Sequence, residues 1–232
     1  MDRRVDVVLF DFAGTLFDDA AVLTADAVRD AAGARGVPLD DGQAARLIKV
    51  SLATADSPAG LARRDGCDRS ASRHCAAWTE LLTAAATGFL PGQPPEVLAD
   101  AVYACLTDPL CWQPYPDTVP VLTALHEAGI PVGVVSNIGW DIRPAFAALG
   151  VDKMVRGFTL SCEHGMVKPE PGLFEAARAE WDVPAERVLF VGDDPVRDGA
   201  ATAVGMPVYL VPRHRAVDRP RGLAGALALA GC

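Results

Sequence analysis

The chain opens on an apolar run, Val5-Asp6-Val7-Val8-Leu9-Phe10, that stops at Asp11-Phe12-Ala13-Gly14-Thr15-Leu16. A near-continuous run of this length predicts a buried parallel strand, with Asp11 at its carboxyl end, where open α/β sheets bind their ligands. The period then changes, and for about 95 residues the apolar positions follow helical spacing. It is clearest over 95–106, where Val97, Leu98, Ala101, Val102, Cys105 and Leu106 form one stripe. Trp78, Leu81, Leu82 and Ala85 repeat that spacing, segments near 20–34 and 41–55 complete a four-helix bundle, and Gly66 and Pro91-Gly92 punctuate it.

From Trp112-Gln113-Pro114-Tyr115-Pro116 onward, strands and helices alternate. The pattern predicts a helix at 118–128 ended by Gly129, then a strand at 131–136. A helix near 140–149, a strand near 154–159, a helix at 171–181, a strand at 188–192, a helix at 196–204 and a strand at 206–211 follow. Such alternation specifies a Rossmann-like parallel sheet of the α/β class. The expected organisation is a core of 1–17 plus 113–232 and an inserted helical cap of 18–112, with hinges at 17–19 and 112–116.

Composition narrows the function. Half of the 232 residues are hydrophobic and 22% are charged, ordinary for a globular chain. The formal net charge of −9 argues against general binding to nucleic acid or to anionic membrane. Arg213, Arg215, Arg219 and Arg221 read as a solvated segment without a role. The six cysteines lack paired zinc spacing and the density of a disulfide scaffold, so reduced structural thiols are expected. No signal peptide or membrane span is apparent, which makes the cytoplasm the expected location, as monomer or homodimer. His74, His126 and His164 make no ligand spacing, and Trp78 and Trp181 fall at core positions of their helices.

Four segments carry chemistry, each after a predicted strand or leading into a helix. Asp11 is a candidate nucleophile and Thr15 lies four residues on. Ser136-Asn137 can hold phosphoryl oxygens through a hydroxyl and backbone N–H groups. Lys168, before Pro169-Glu170-Pro171, can neutralise both the nucleophile and a transferred group. Gly192-Asp193-Asp194-Pro195-Val196-Arg197-Asp198 concentrates carboxylates on one loop. Asp11, Asp193 and Asp198 would repel one another unless a cation joined them, and oxygen-only ligands suit Mg²⁺. The expected reaction is attack of Asp11 on phosphorus, followed by release of phosphate to water.

These segments, in this order and with a helical insertion after the first, resemble the haloacid dehalogenase-like hydrolases over essentially the whole chain, most strongly from 130 to 212. Val135-Ser136-Asn137-Ile138-Gly139-Trp140-Asp141 and Val167-Lys168-Pro169-Glu170-Pro171-Gly172-Leu173-Phe174 resemble the phosphatase-type branch with a helical cap. The resemblance implies Asp11 as nucleophile, Thr15, Ser136, Asn137 and Lys168 as phosphate binders, and a small phosphorylated metabolite as substrate. It also implies Mg²⁺ held by Asp11, the main-chain carbonyl of Ala13 and the loop beginning at Asp193. The family's phosphatases carry a second Asp where Ala13 stands, which protonates the leaving alcohol and then activates water. General acid–base help is worth about 10²–10⁴ in rate, so Ala13 favours good leaving groups such as acyl or aryl phosphates. Three other readings are open: phosphonoacetaldehyde hydrolase-like chemistry with a Schiff base on Lys49, a 2-haloacid dehalogenase, and a phospho-ligand binder without turnover.

Overall fold

The computed structural model describes residues 5–212 and 219–232. Strands β1 (Val7–Phe10), β4 (Val132–Ser136), β5 (Val155–Leu160), β6 (Val188–Gly192) and β7 (Val208–Leu210) form one parallel sheet in the order β5-β4-β1-β6-β7. Strand order reverses at β1, which opens a crevice beyond the carboxyl ends of β4, β1 and β6. Alternate residues of the central strands face opposite layers. Val8, Phe10, Val132 and Val134 join a cluster with Leu122, Leu125 and Phe146 on one side. Val7, Leu9, Val188 and Phe190 pack with Leu173, Phe174 and Trp181 on the other. The first layer is supplied by α6 (Thr118–Glu127), α7 (Arg143–Ala148) and the C-terminal α10 (Ala224–Ala230), the second chiefly by α9 (Pro171–Ala179).

The inserted segment holds five α-helices: α1 (Ala25–Gly33), α2 (Asp41–Ala55), α3 (Pro58–Arg64), α4 (Ala71–Ala86) and α5 (Pro95–Thr107). Contacts run α1 to α2, α2 to α4, α4 to α5 and α5 back to α1, so these four close a bundle. Side-chain caps start them. Thr24 accepts from Ala27 N, Asp40 and Gln43 form a reciprocal capping box, and Ser57 and Ser70 cap α3 and α4. A two-stranded antiparallel ribbon, β2 (Phe17–Asp18) with β3 (Gln113–Pro114), joins the two crossings of the chain between bundle and sheet.

Several elements differ from expectation. The segment expected as a helix at 196–204 is a 3-10 helix limited to Gly199–Val204, preceded by a turn whose amides bind carboxylates. The short α8 (Ser161–His164) and α10 lie outside the expected elements. Among the described residues no helix is long and apolar enough to cross a membrane, and all six cysteines are unbridged.

Candidate active site

Asp11 follows β1 directly, and its N–H donates to Val191 O of β6 at 2.8 Å. The chain then folds back on itself. Phe12 O accepts from Leu16 N and Phe17 N at 3.0 and 2.9 Å, and the Phe12 and Phe17 rings stack at 4.6 Å. Gly14 has φ +79°, and a Cβ there would lie 3.0 Å from an Asp193 oxygen. Glycine therefore both permits the turn and lets the loop after β6 approach it. At the end of β6, a Cβ on Gly192 would overlap the Asp198 carboxylate.

Lys168 Nζ lies 2.6 Å from Asp11 Oδ1 and 2.7 Å from Asp198 Oδ1, with all three groups buried. Asn137 holds the lysine's backbone, its Oδ1 accepting from Lys168 N at 2.7 Å and its Nδ2 donating to Lys168 O at 2.9 Å. Asp198 Oδ2 accepts from Asp193 N and Asp194 N, both at 2.9 Å. Burial works against the Lys168 charge, but Asp11 and Asp198 outweigh it and raise its pKa, so the ammonium persists. Burial pushes the Asp11 carboxyl up to about 7 against the pull of Lys168, with Asp198 and Asp193 adding to the rise.

Asp11, Asp193 and Asp198 each offer an oxygen within 4.8 Å of the others. This oxygen donor set fits a hard divalent cation. With Ala13, Ser136, Asn137 and Lys168 these residues line a pocket of about 130 Å³. Thr15 is fully buried outside that lining, its hydroxyl 3.4 Å from Asp11 Oδ2. Lys49 is exposed on α2 and, among the described residues, lines neither the small pocket nor the larger cavity that adjoins it, which weighs against a Schiff base across the cleft.

Arg221 corrects the reading of the C-terminal arginines as a solvated segment. It is 2% exposed, and its Nε donates to Gly14 O at 2.5 Å and a terminal nitrogen to Asp193 Oδ2 at 3.3 Å. Asp117 fixes this segment by accepting from the N–H groups of Arg221, Gly222 and Leu223 at 2.7–2.8 Å. Arg219 is exposed, and Arg213 and Arg215 lie outside the described residues.

A larger cavity of about 770 Å³ shares Ala13, Asn137 and Lys168 with the small pocket and extends beneath the inserted helices. Bundle and sheet meet at its rim. Arg69 binds both carboxylate oxygens of Glu170 and donates to Gly165 O at 3.0 Å, and Ser161 Oγ donates to Asp68 O at 2.8 Å. His74 of α4 sits over Gly139, where a Cβ would overlap the imidazole. Its Nδ1 lies 2.9 Å from the Tyr103 hydroxyl. Burial, aided by Arg64, lowers its pKa to about 4, so the 3.8 Å approach of Asp68 is to a neutral ring near pH 7.

A family profile for haloacid dehalogenase-like hydrolases matches residues 5–205. The phosphoglycolate phosphatase of Rhodospirillum rubrum is 29% identical over 231 residues, covering 96% of this chain and 85% of that relative. Magnesium-bound YfnB of Bacillus subtilis superposes with a TM-score of 0.69 at 15% identity, over 99% of this chain and 100% of that one. The L-2-haloacid dehalogenase of Xanthobacter autotrophicus superposes with a TM-score of 0.60 at 24% identity, over 97% and 82%. These two structural likenesses speak for the fold alone.

Proposed function

Because the chain belongs to the haloacid dehalogenase-like hydrolases, matched from residue 5 to 205, we propose that it hydrolyses small phosphorylated compounds through an aspartyl-phosphate on Asp11. The observation that carries this reading is Lys168, clamped between Asp11 and Asp198 beside a third carboxylate at a pocket of about 130 Å³. Segment 18–112 acts as the cap and 1–17 with 113–232 as the core.

Asp11 and Asp193, with the Ala13 carbonyl, would hold Mg²⁺, which when bound neutralises the carboxylates and polarises the phosphoryl oxygens. Asp198 has a different part. Both its oxygens are engaged, one by Lys168 and one by two amides. It is a positioning residue that aims the ammonium. Lys168 offsets the negative charge that gathers as the Asp11 oxygen approaches phosphorus. Ser136 lines the same pocket and supplies a hydroxyl to a phosphoryl oxygen. Asn137 and Thr15 act through Lys168 and Asp11, since their side chains contact those residues. Water then releases phosphate and restores the carboxylate.

The phosphatase relative supports phosphorylated substrates. Attack on the carbon of a 2-haloacid is the second reading, drawn from the dehalogenase neighbour, but the Asp193 carboxylate converging on Asp11 favours phosphoryl chemistry. The test assays wild type, Asp11→Asn and Ala13→Asp on alkyl, aryl and acyl phosphates and on 2-haloacids, with and without Mg²⁺. Phosphate release should require Mg²⁺ and vanish in Asp11→Asn. Ala13→Asp should raise alkyl phosphate turnover by about 10²–10⁴. Metal-independent turnover of a 2-haloacid would sink the proposal.

A further inference from the structure

The cavity of about 770 Å³ lies where the departing part of a substrate would sit, because it shares Ala13, Asn137 and Lys168 with the small pocket. One wall is aromatic. The His74 and Trp140 rings lie 5.2 Å apart, Trp112 and Trp140 5.7 Å, and His74 and Trp78 5.9 Å, all four residues lining the cavity. Trp140 Nε1 is sealed from the cavity, so the residue offers a ligand its ring and not its N–H.

The cationic lining is also uneven. Arg69 is neutralised by Glu170, and Arg64 is bonded to Ala55 O and Asp56. Arg73 and Arg197 line the cavity and form no ion pair among the described residues, and Arg197 lines the small pocket as well. Arg197 therefore serves the phosphoryl end, and Arg73 is left for a second anion.

Ala13 bears on the same choice. A leaving group that departs without an acid from position 13 must be stable as an anion, which selects acyl and aryl phosphates. A short acyl phosphate would leave most of the cavity unfilled. Planar rings stack on aromatic side chains at centroid separations of about 4.5–7 Å. We infer that the substrate is an aryl phosphate, with the phosphoryl group on the oxygen of a planar aromatic ring that bears a second anionic group for Arg73. This inference rests on the reading of Asp11 as phosphoryl acceptor. An Asp11 oxygen bonds to phosphorus as the P–O(aryl) bond breaks, and the electron pair leaves on the aryloxide, which takes its proton from solvent. Water then displaces Asp11, yielding inorganic phosphate and releasing one proton.

Rates with Mg²⁺ are to be measured on phenyl phosphate, 4-carboxyphenyl phosphate, benzyl phosphate and acetyl phosphate. Phenyl should exceed benzyl phosphate in kcat/KM by about 10²–10⁴. The carboxyl group should lower KM by about two- to fivefold, as an exposed ion pair does. In Arg73→Gln, a change at an exposed position, that KM ratio should fall to about one, the pair being lost. In Trp140→Leu, kcat/KM for phenyl phosphate should fall about two- to tenfold relative to acetyl phosphate, the loss of stacking. Hydrolysis of acetyl phosphate with phenyl no better than benzyl, or a carboxyl effect untouched by Arg73→Gln, overturns the aryl assignment and leaves the aspartyl-phosphate reading standing. No turnover of any of the four, acetyl phosphate included, overturns that reading and the assignment with it.

Discussion

Arg221 shows how far a single side chain can act from its place in the sequence. Its guanidinium is buried between Gly14 O and Asp193, more than two hundred residues from the first and 28 from the second. It also lies over the Tyr115 ring, 5.0 Å from the centroid. Removing one partner from such a buried arrangement typically costs about 3–5 kcal/mol, because the carboxylate keeps a charge that is no longer compensated and the carbonyl loses its donor. Arg221→Met should therefore lower unfolding stability by about that amount in urea titration. Arg221→Lys should recover only part of it, since a point charge cannot serve two directions as a guanidinium fork does. Nothing local in the sequence marks Arg221 as buried, because the charges nearby read as a solvated run and its partners come from other loops. Asp11, Lys168 and Asp193 were legible because each follows a strand or leads into a helix in a recognisable order. The contacts of Asn137, Thr15 and Asp198 were not, because a short polar side chain gives no sign of which neighbour it will bind.

At the scale of elements, the long helices could be read, and of the short ones α7 could while α3, α8 and α10 could not. The apolar stripe of α5 and the span of α2 follow from spacing alone, since several turns of one face make the period visible. Helix α3 has only 7 residues and β2 and β3 two each, too few to display a period. Their structure depends on packing, as at Gly60, where a Cβ would overlap the carbonyls ending α2. Helix α4 carries a pH dependence of its own through His74. In the unfolded chain the imidazole titrates near 6.5, whereas burial in the fold lowers it to about 4. The folded state thus resists the proton. The stabilisation is complete above pH 6.5 and is lost as pH falls toward 4, up to about 3 kcal/mol over this window. His74→Gln should remove that acid-side loss. The measurement is the difference in urea stability between variant and wild type at pH 7.5 and pH 4.5, in which the raised carboxyl of Asp68, present in both proteins, largely cancels. An unchanged difference across this range would show that His74 is protonated freely in the fold.

The whole molecule brings together acids that the unfolded chain keeps apart. Asp11 and Asp193 stand at the ends of neighbouring strands, and only the parallel pairing of β1 with β6 joins them. In a chain of net charge −9 such convergence opposes folding unless a cation answers it. A ligand that binds the folded state alone stabilises it by RT ln(1 + [L]/Kd), about 2.7 kcal/mol at a hundredfold excess over Kd. For a domain of this size that is about 5–10 °C in Tm. Mg²⁺ should therefore raise Tm by about that much, against a control in which NaCl supplies the same ionic strength and screens the general surface charge. Asp193→Asn should abolish the difference between the two salts. The shift should also be larger at pH 8 than at pH 6, because the Asp11 carboxyl, raised to about 7, must give up its proton before it can hold a cation. A Tm that responds equally to both salts, or a Mg²⁺ shift that survives Asp193→Asn, would mean that Lys168 and Arg221 already neutralise these carboxylates and that no divalent ion binds between them.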